Sequence, residues 1–181
     1  MQTNILKNVA ILCCAMLCTV FTSCGKEDNP NNDNPSDSEL SMAEMSMKIG
    51  VSDDLFSLLD LTVEYYDESG KIKSEAMTTP IWNKTVKNNL PCKLGARLKA
   101  VAKSGVQPSG SVDTNIDLFY AGSAISKNGQ NQGEMVYSSS TGGVLSVPAA
   151  GFSAYVNKLN GGLVSFLFEF NSKGTPKAIS W

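Results

Sequence analysis

From Met45 onward, apolar side chains fall at every second position through one segment after another. Met45, Met47, Ile49 and Val51 alternate with Ser46, Lys48 and Gly50, and Leu59, Leu61, Val63 and Tyr65 alternate with Asp60, Thr62 and Glu64. A period of two belongs to a β-strand with one face buried, because successive side chains point to opposite faces. Asp67-Glu68-Ser69-Gly70 reads as a hairpin turn leading into a strand from Ile72 toward Met77. A short strand over Ile81–Val86 carries Trp82, and Met135-Val136-Tyr137 adds another. Cys92, Leu94, Ala96, Leu98, Ala100 and Ala102 form one face of a longer strand, opposed by Lys93, Arg97, Lys99 and Lys103. Val112, Thr114, Ile116, Leu118 and Tyr120 form a further inward face, with Asp113, Asn115 and Asp117 on the wet side.

One segment departs from this period. Phe152, Tyr155, Val156 and Leu159 have helical spacing, with Pro148 before them and Gly161-Gly162 after them, so a helix is expected near 149–160. Leu163–Phe170 is apolar on both faces and reads as a central strand; Asn171–Gly174 turns, and Lys177–Trp181 reads as a closing edge strand. Seven or eight antiparallel strands and one short helix make the expected class mainly β, an antiparallel β-sandwich, immunoglobulin-like or similar.

The 181 residues contain no histidine, which removes Ser-His and Cys-His catalysis and histidine metal ligands. Basic and acidic residues number 15 and 17, with no basic cluster of the kind phosphate contacts require, so no nucleic-acid partner is expected. Four of the five cysteines, Cys13, Cys14, Cys18 and Cys24, lie at the N-terminus. Cys92 therefore has no internal partner, and its inward phase marks a buried structural thiol.

Residues 1–23 have the layout of a signal peptide: Lys7, then the uncharged run Val9–Phe21 of 13 residues, too short for a spanning helix of about 20. The run closes on Phe21-Thr22-Ser23-Cys24-Gly25, which resembles a bacterial lipobox, with Phe21 where leucine is usual. The resemblance implies diacylglycerol on the Cys24 sulfur, cleavage before Cys24 and acylation of its amine. Several buried acyl chains, at about 0.8 kcal/mol per CH2, anchor a chain stably to a membrane. Lys26-Glu27-Asp28 resembles the lysine-plus-acidic surface-export signal of Bacteroidota lipoproteins, which implies an outer-membrane address facing the exterior. Gly25–Ser41, rich in Asn, Asp, Pro and Ser, is expected to be a disordered spacer, reaching roughly 20–25 Å as a flexible coil. The organisation expected is a signal peptide at 1–23, a lipidated and disordered tether at 24–41, and one β-sandwich domain at 42–181. With Lys7 gone, the mature chain keeps 14 basic and 17 acidic residues, net −3. As a whole the chain resembles the small β-rich lipoproteins of gut Bacteroidota.

The motifs that carry chemistry are few. Asp113-Thr-Asn115-Ile-Asp117 has the opening spacing of a calcium loop, but Leu118 and Ala124 stand where such a loop needs Gly and Glu, so no metal is expected. Among the carboxylates Asp60, Glu64, Glu75 and Glu169, the last stands inside LFEF, where burial would raise its pKa. Its plainer reading is a carboxylate at the sheet margin or beside a lysine. Ser138–Gly143 lacks a phosphate-loop lysine and reads as a loop. Tyr65 and Tyr120 fall on the inward phase and belong to the core. Tyr66 and Phe119 fall on the outward phase, where they serve as candidate ligand-binding residues for a glycan.

These features point to a non-catalytic binding or accessory module without a cofactor, displayed at the cell surface and holding a glycan or a protein. Two other readings stand beside it: a structural subunit of a surface assembly such as a fimbria, and a small hydrolase. The only arginine, Arg97, lies mid-strand, away from the first-strand position of the Arg-directed cut that fimbrial assembly usually involves.

Overall fold

The computed structural model describes residues 39–141 and 145–181, all within one unit that spans residues 34–181. The signal peptide, Cys24, Lys26-Glu27-Asp28 and the spacer as far as residue 38 lie outside the described residues.

Strand β1 (Leu40–Val51) begins two residues before the expected boundary, because Leu90 N–H already donates to Ser41 O. Ala43, Met45, Met47 and Ile49 lie on one face at 0–2% exposed, each apolar side chain of Val size or larger worth about 1.5–3 kcal/mol when fully buried. Helix α1 (Asp53–Leu58) follows, a single turn and a half that the alternation did not indicate. Ser52 Oγ accepts from Leu55 N–H at its N-terminus, Asp53 and Asp54 occupy the first turn, and Leu55 plugs the core.

The next strands are β2 (Leu59–Tyr66), β3 (Ile72–Ala76), β4 (Ile81–Asn89) and β5 (Cys92–Ala102). The turn between β2 and β3 is the expected one, with Asp67 Oδ1 accepting from Ser69 and Lys71 N–H. Then come β6 (Ser111–Asp113), β7 (Ile116–Ser126), β8 (Gln132–Thr141) and β9 (Ser146–Pro148). The strand expected from Val112 to Tyr120 is broken at Thr114-Asn115, so β6 pairs with β9 in a ribbon of their own. Ser138–Thr141 belong to β8 and correct the loop expected there, whose Gly142-Gly143 lie outside the described residues. Serines suffice in that half of the strand because it lies at a sheet edge, where even the inward-phase Ser138 and Ser140 stay at least partly exposed. Helix α2 (Phe152–Lys158) stands within the expected range and buries Phe152; the wider turn 159–163 after it ends where Gly162 adopts φ +95°. Strands β10 (Ser165–Phe170) and β11 (Pro176–Ala178) complete the chain.

These strands form a β-sandwich. A four-stranded sheet has the order β4-β1-β7-β8 and a five-stranded sheet the order β11-β10-β5-β2-β3, and every pairing is antiparallel. Both inner faces feed one core, in which Tyr65, Phe170, Met45, Leu94 and Leu98 are fully buried. Tyr120 stacks on Phe166 across the core at 4.4 Å, in keeping with its inward phase.

A polar seam joins edge strands β3 and β4 of opposite sheets. Glu75 Oε1 accepts from Tyr65 Oη at 2.7 Å and from Lys84 Nζ at 3.1 Å, while its Oε2 accepts from Trp82 Nε1 at 3.1 Å. Three donors to one carboxylate favour its charged form, the Tyr65 hydroxyl most strongly, and lower the Glu75 pKa from 4.5 to about 2. Between those two values the unfolded chain takes up a proton that the folded chain excludes, so the seam's contribution is complete above pH 4.5 and fades as pH falls toward 2. Urea unfolding at pH 6 and pH 3 checks this: Glu75→Gln lowers stability at pH 6 and reduces the loss that the wild type shows between the two pH values.

Candidate functional site

The outer face of the five-stranded sheet is where the sequence pattern and the structure converge. On β2 the outward residues are Asp60, Thr62, Glu64 and Tyr66; on β5 they include Lys93, Arg97 and Lys99. Register places Glu64 directly opposite Arg97, and Arg97 opposite Ser165 on β10. Arg97 Nε accordingly donates to Glu64 Oε2 at 2.6 Å, a charge-assisted bond between half-buried side chains. Among the described residues, the two terminal Nη groups of Arg97 make no hydrogen bond.

The C-terminus then crosses back over this face. Strand β11 ends at Ala178, and the expected strand continues no further. Ile179 N–H donates to Leu167 O, and Trp181 Nε1 donates to Phe166 O at 3.2 Å, which fixes the indole against β10. Arg97 Cζ lies 4.7 Å from the centre of the indole, within cation–π range, and the Tyr66 ring lies 5.5 Å from it at a 36° tilt. Leu167, on the same outward face, is 4% exposed yet stands apart from the main core. The result is a shelf of two half-buried aromatic rings and one guanidinium.

Beside the shelf opens a cleft of about 270 Å³, lined by Arg97, Lys99, Asn160, Ser165 and Trp181 among others. The turn after α2 delivers Asn160 to it. The Asn160 amide exchanges two hydrogen bonds with the main chain of Ala100, at 2.9 and 2.8 Å, standing in for a neighbouring strand. Lys99 Nζ donates to Asn160 O at 2.7 Å. Aromatic rings and unfilled guanidinium donors suit a polyhydroxylated ring: the rings take its C–H face and the guanidinium its hydroxyls.

Of the two candidate aromatic residues, only Tyr66 belongs to this shelf. Phe119 stands on the outer face of the other sheet, edge-to-face with Tyr137 at 5.8 Å, so the two candidates occupy separate surfaces. Arg97 and Trp181 were not singled out by the sequence. Arg97 shares the outward phase of Glu64 and Tyr66, which is a readable signal; Trp181 carries none, since its position depends on the return of the chain after β11.

The remaining chemistry resolves into structural roles. Cys92 is half-buried on the inward phase, and burial pushes its thiol up to about 11, which suits a structural thiol. Glu169 is exposed, opposite Lys93 and Lys177 in the register, in line with its plainer reading at the sheet margin beside a lysine; the burial on that face belongs to Leu167. Asp113, Asn115 and Asp117 line a cleft of about 770 Å³ at one end of the sandwich together with Asp53 and Asp54. There two of the carboxylates brace loops: Asp54 Oδ2 accepts from Asp113 N–H, and Asp113 Oδ1 accepts from Asn115 N–H, while Asp117 Oδ1 is buried with no hydrogen-bond partner among the described residues. Among the described residues, no three acidic or cysteine side chains converge as a metal site.

No protein-family model, curated protein or solved structure matches this chain. Among the described residues, no helix is long and apolar enough to cross a membrane.

Proposed function

We propose that this protein is a non-catalytic binding module of the bacterial outer membrane, tethered by lipid on Cys24 and facing the cell exterior, that holds a glycan on the Tyr66–Trp181–Arg97 shelf. The observation that carries the ligand reading is the clustering of the indole with a guanidinium and a second aromatic ring beside a polar cleft. The lipobox-like Phe21–Gly25 and the Lys26-Glu27-Asp28 triplet support the address. The carboxylates Glu64 and Glu75 are each matched by a cation, and Glu169 stands exposed with lysines opposite it in the register, which favours binding over acid/base hydrolysis.

The reading is tested by presenting the full-length protein in mild detergent to a panel of neutral and uronate-containing oligosaccharides. Saturable binding is expected, weakened about tenfold or more by Tyr66→Ala and untouched by Phe119→Ala, as expected for an anchor worth at least 1.4 kcal/mol. Binding that survives Tyr66→Ala, or responds to Phe119→Ala instead, removes the shelf from the account. A second reading, a structural subunit of a surface assembly, is favoured by one observation, the long exposed edge of β8.

A further inference from the structure

The four sheet edges of this sandwich are not built alike. Edge strand β4 carries Lys84 on its inward phase and Lys87 outward, and β3 carries Lys73 with Glu75 pointing inward. Strand β11 has three residues, of which Pro176 removes a donor and Lys177 adds charge. Charges, prolines and shortness are the devices that keep an edge from pairing with another chain. Strand β8 has neither proline nor shortness, and its one irregularity, a register shift against β7, falls before Met135. It runs for ten residues, contains no lysine, arginine or proline, and carries one charge, Glu134. Among the described residues, no main-chain group of Gly133–Ser140 bonds outside its pairing with β7. The same strand exposes two large apolar side chains on its outer face, Met135 at 57% and Tyr137 at 62%.

We propose that β8 pairs antiparallel with β8 of a second copy of this chain, joining two four-stranded sheets into one of eight strands. The sequence of the strand is complementary to itself about Tyr137. Its first half holds the larger residues Glu134, Met135 and Val136, and its second half the small hydroxyls Ser138, Ser139 and Ser140. Antiparallel self-pairing centred on Tyr137 sets Val136 opposite Ser138, Met135 opposite Ser139 and Glu134 opposite Ser140. Apart from Tyr137 itself, each bulky side chain then meets a small one, and each carboxylate meets a hydroxyl instead of another carboxylate, avoiding the like-charge penalty of directly opposed residues. The two Tyr137 rings come together on the outer face beside Phe119, which already packs edge-to-face on Tyr137 in one copy. The surface lies on the sheet opposite the Tyr66–Trp181 shelf, so the pairing and the ligand reading stand or fall separately.

Site-specific disulfide formation in the full-length chain tests it. Residues opposed across an antiparallel pair have Cα atoms about 4.5–5.5 Å apart, within disulfide reach. Tyr137→Cys is expected to link to its own copy. Met135→Cys and Ser139→Cys alone are not, but link to each other when the two variants are co-expressed. Ser74→Cys on edge strand β3 stays unlinked. The Met135→Lys/Tyr137→Lys pair, at exposed positions that leave the core untouched, is expected to yield a folded monomer by sedimentation. A Tyr137→Cys chain that stays monomeric, links to a different protein, or links no better than Ser74→Cys overturns the proposal. So does unchanged self-association of the double lysine variant.

Discussion

Gly95→Ala is expected to unfold about 10 °C below the wild type, a loss of about 3 kcal/mol for a domain of this size. Gly95 lies mid-strand in β5, fully covered, opposite Leu167 of β10. A Cβ added there would meet the Phe166 carbonyl oxygen and stand 2.7 Å from the Leu167 Cα. Both are backbone atoms of a paired strand, so no side-chain rotation relieves the contact and the ladder itself must move. Alanine's restriction of the unfolded chain offsets only about 0.4–1 kcal/mol of this. Gly95→Val cannot be accommodated and is expected not to accumulate as folded protein. The comparison is Gly161→Ala, where an added Cβ meets nothing within 4 Å and the change stays within about 0.5 kcal/mol. Thermal unfolding by circular dichroism reads both. An unchanged midpoint for Gly95→Ala would contradict the register of β5 against β10, and with it the position of Arg97 beside Trp181.

Cys24→Ala is expected to remove fatty-acid labelling from the chain and to shift it out of the outer-membrane fraction. The argument is one of magnitudes. Each acyl CH2 buried in the bilayer contributes about 0.8 kcal/mol, so several chains on one residue hold the protein stably. The sequence offers little to substitute for them: residues 25–41 are polar, the 13-residue run 9–21 is too short to span, and the chain is net negative. Metabolic labelling with an alkyne palmitate analogue, followed by fractionation, checks the prediction. A Cys24→Ala chain that keeps its label or stays in the outer-membrane fraction would contradict the lipid anchor.

The elements legible in the sequence are those with one buried face. Strands β2 and β5 emerge almost to the residue because Leu59–Tyr65 and Cys92–Ala102 write a period of two that burial enforces. Helix α2 was legible from four apolar positions between a proline and two glycines. Helix α1 was not, because six residues are too few to display a helical period, and its determinants are the Ser52 cap and a single plug, Leu55. The serine half of β8 escaped for a different reason: an edge strand need not be apolar. At the shelf, the outward phase of Tyr66 is a local property and could be read. Its neighbours Arg97 and Trp181 reach it only through strand order and the return of the C-terminus, which no local pattern encodes. The same gap explains Glu169: LFEF looks buried on both sides because Leu167 is covered on the outer face, while Glu169, next to it but one along the strand, is open to water between two lysines.

A glycan resting on Trp181 would alter the emission of that residue. The chain has two tryptophans, and Trp82 is 6% exposed inside the polar seam, so a ligand arriving at the outer face reaches Trp181 alone. Titrating the full-length protein with an oligosaccharide it binds is expected to change tryptophan emission saturably. The change should disappear in Trp181→Phe, and affinity should fall about 30-fold in Trp181→Ala, the loss of roughly 2 kcal/mol typical of an aromatic anchor. Binding of undiminished affinity in Trp181→Ala, with emission unmoved in the wild type, would exclude Trp181 as the ligand platform.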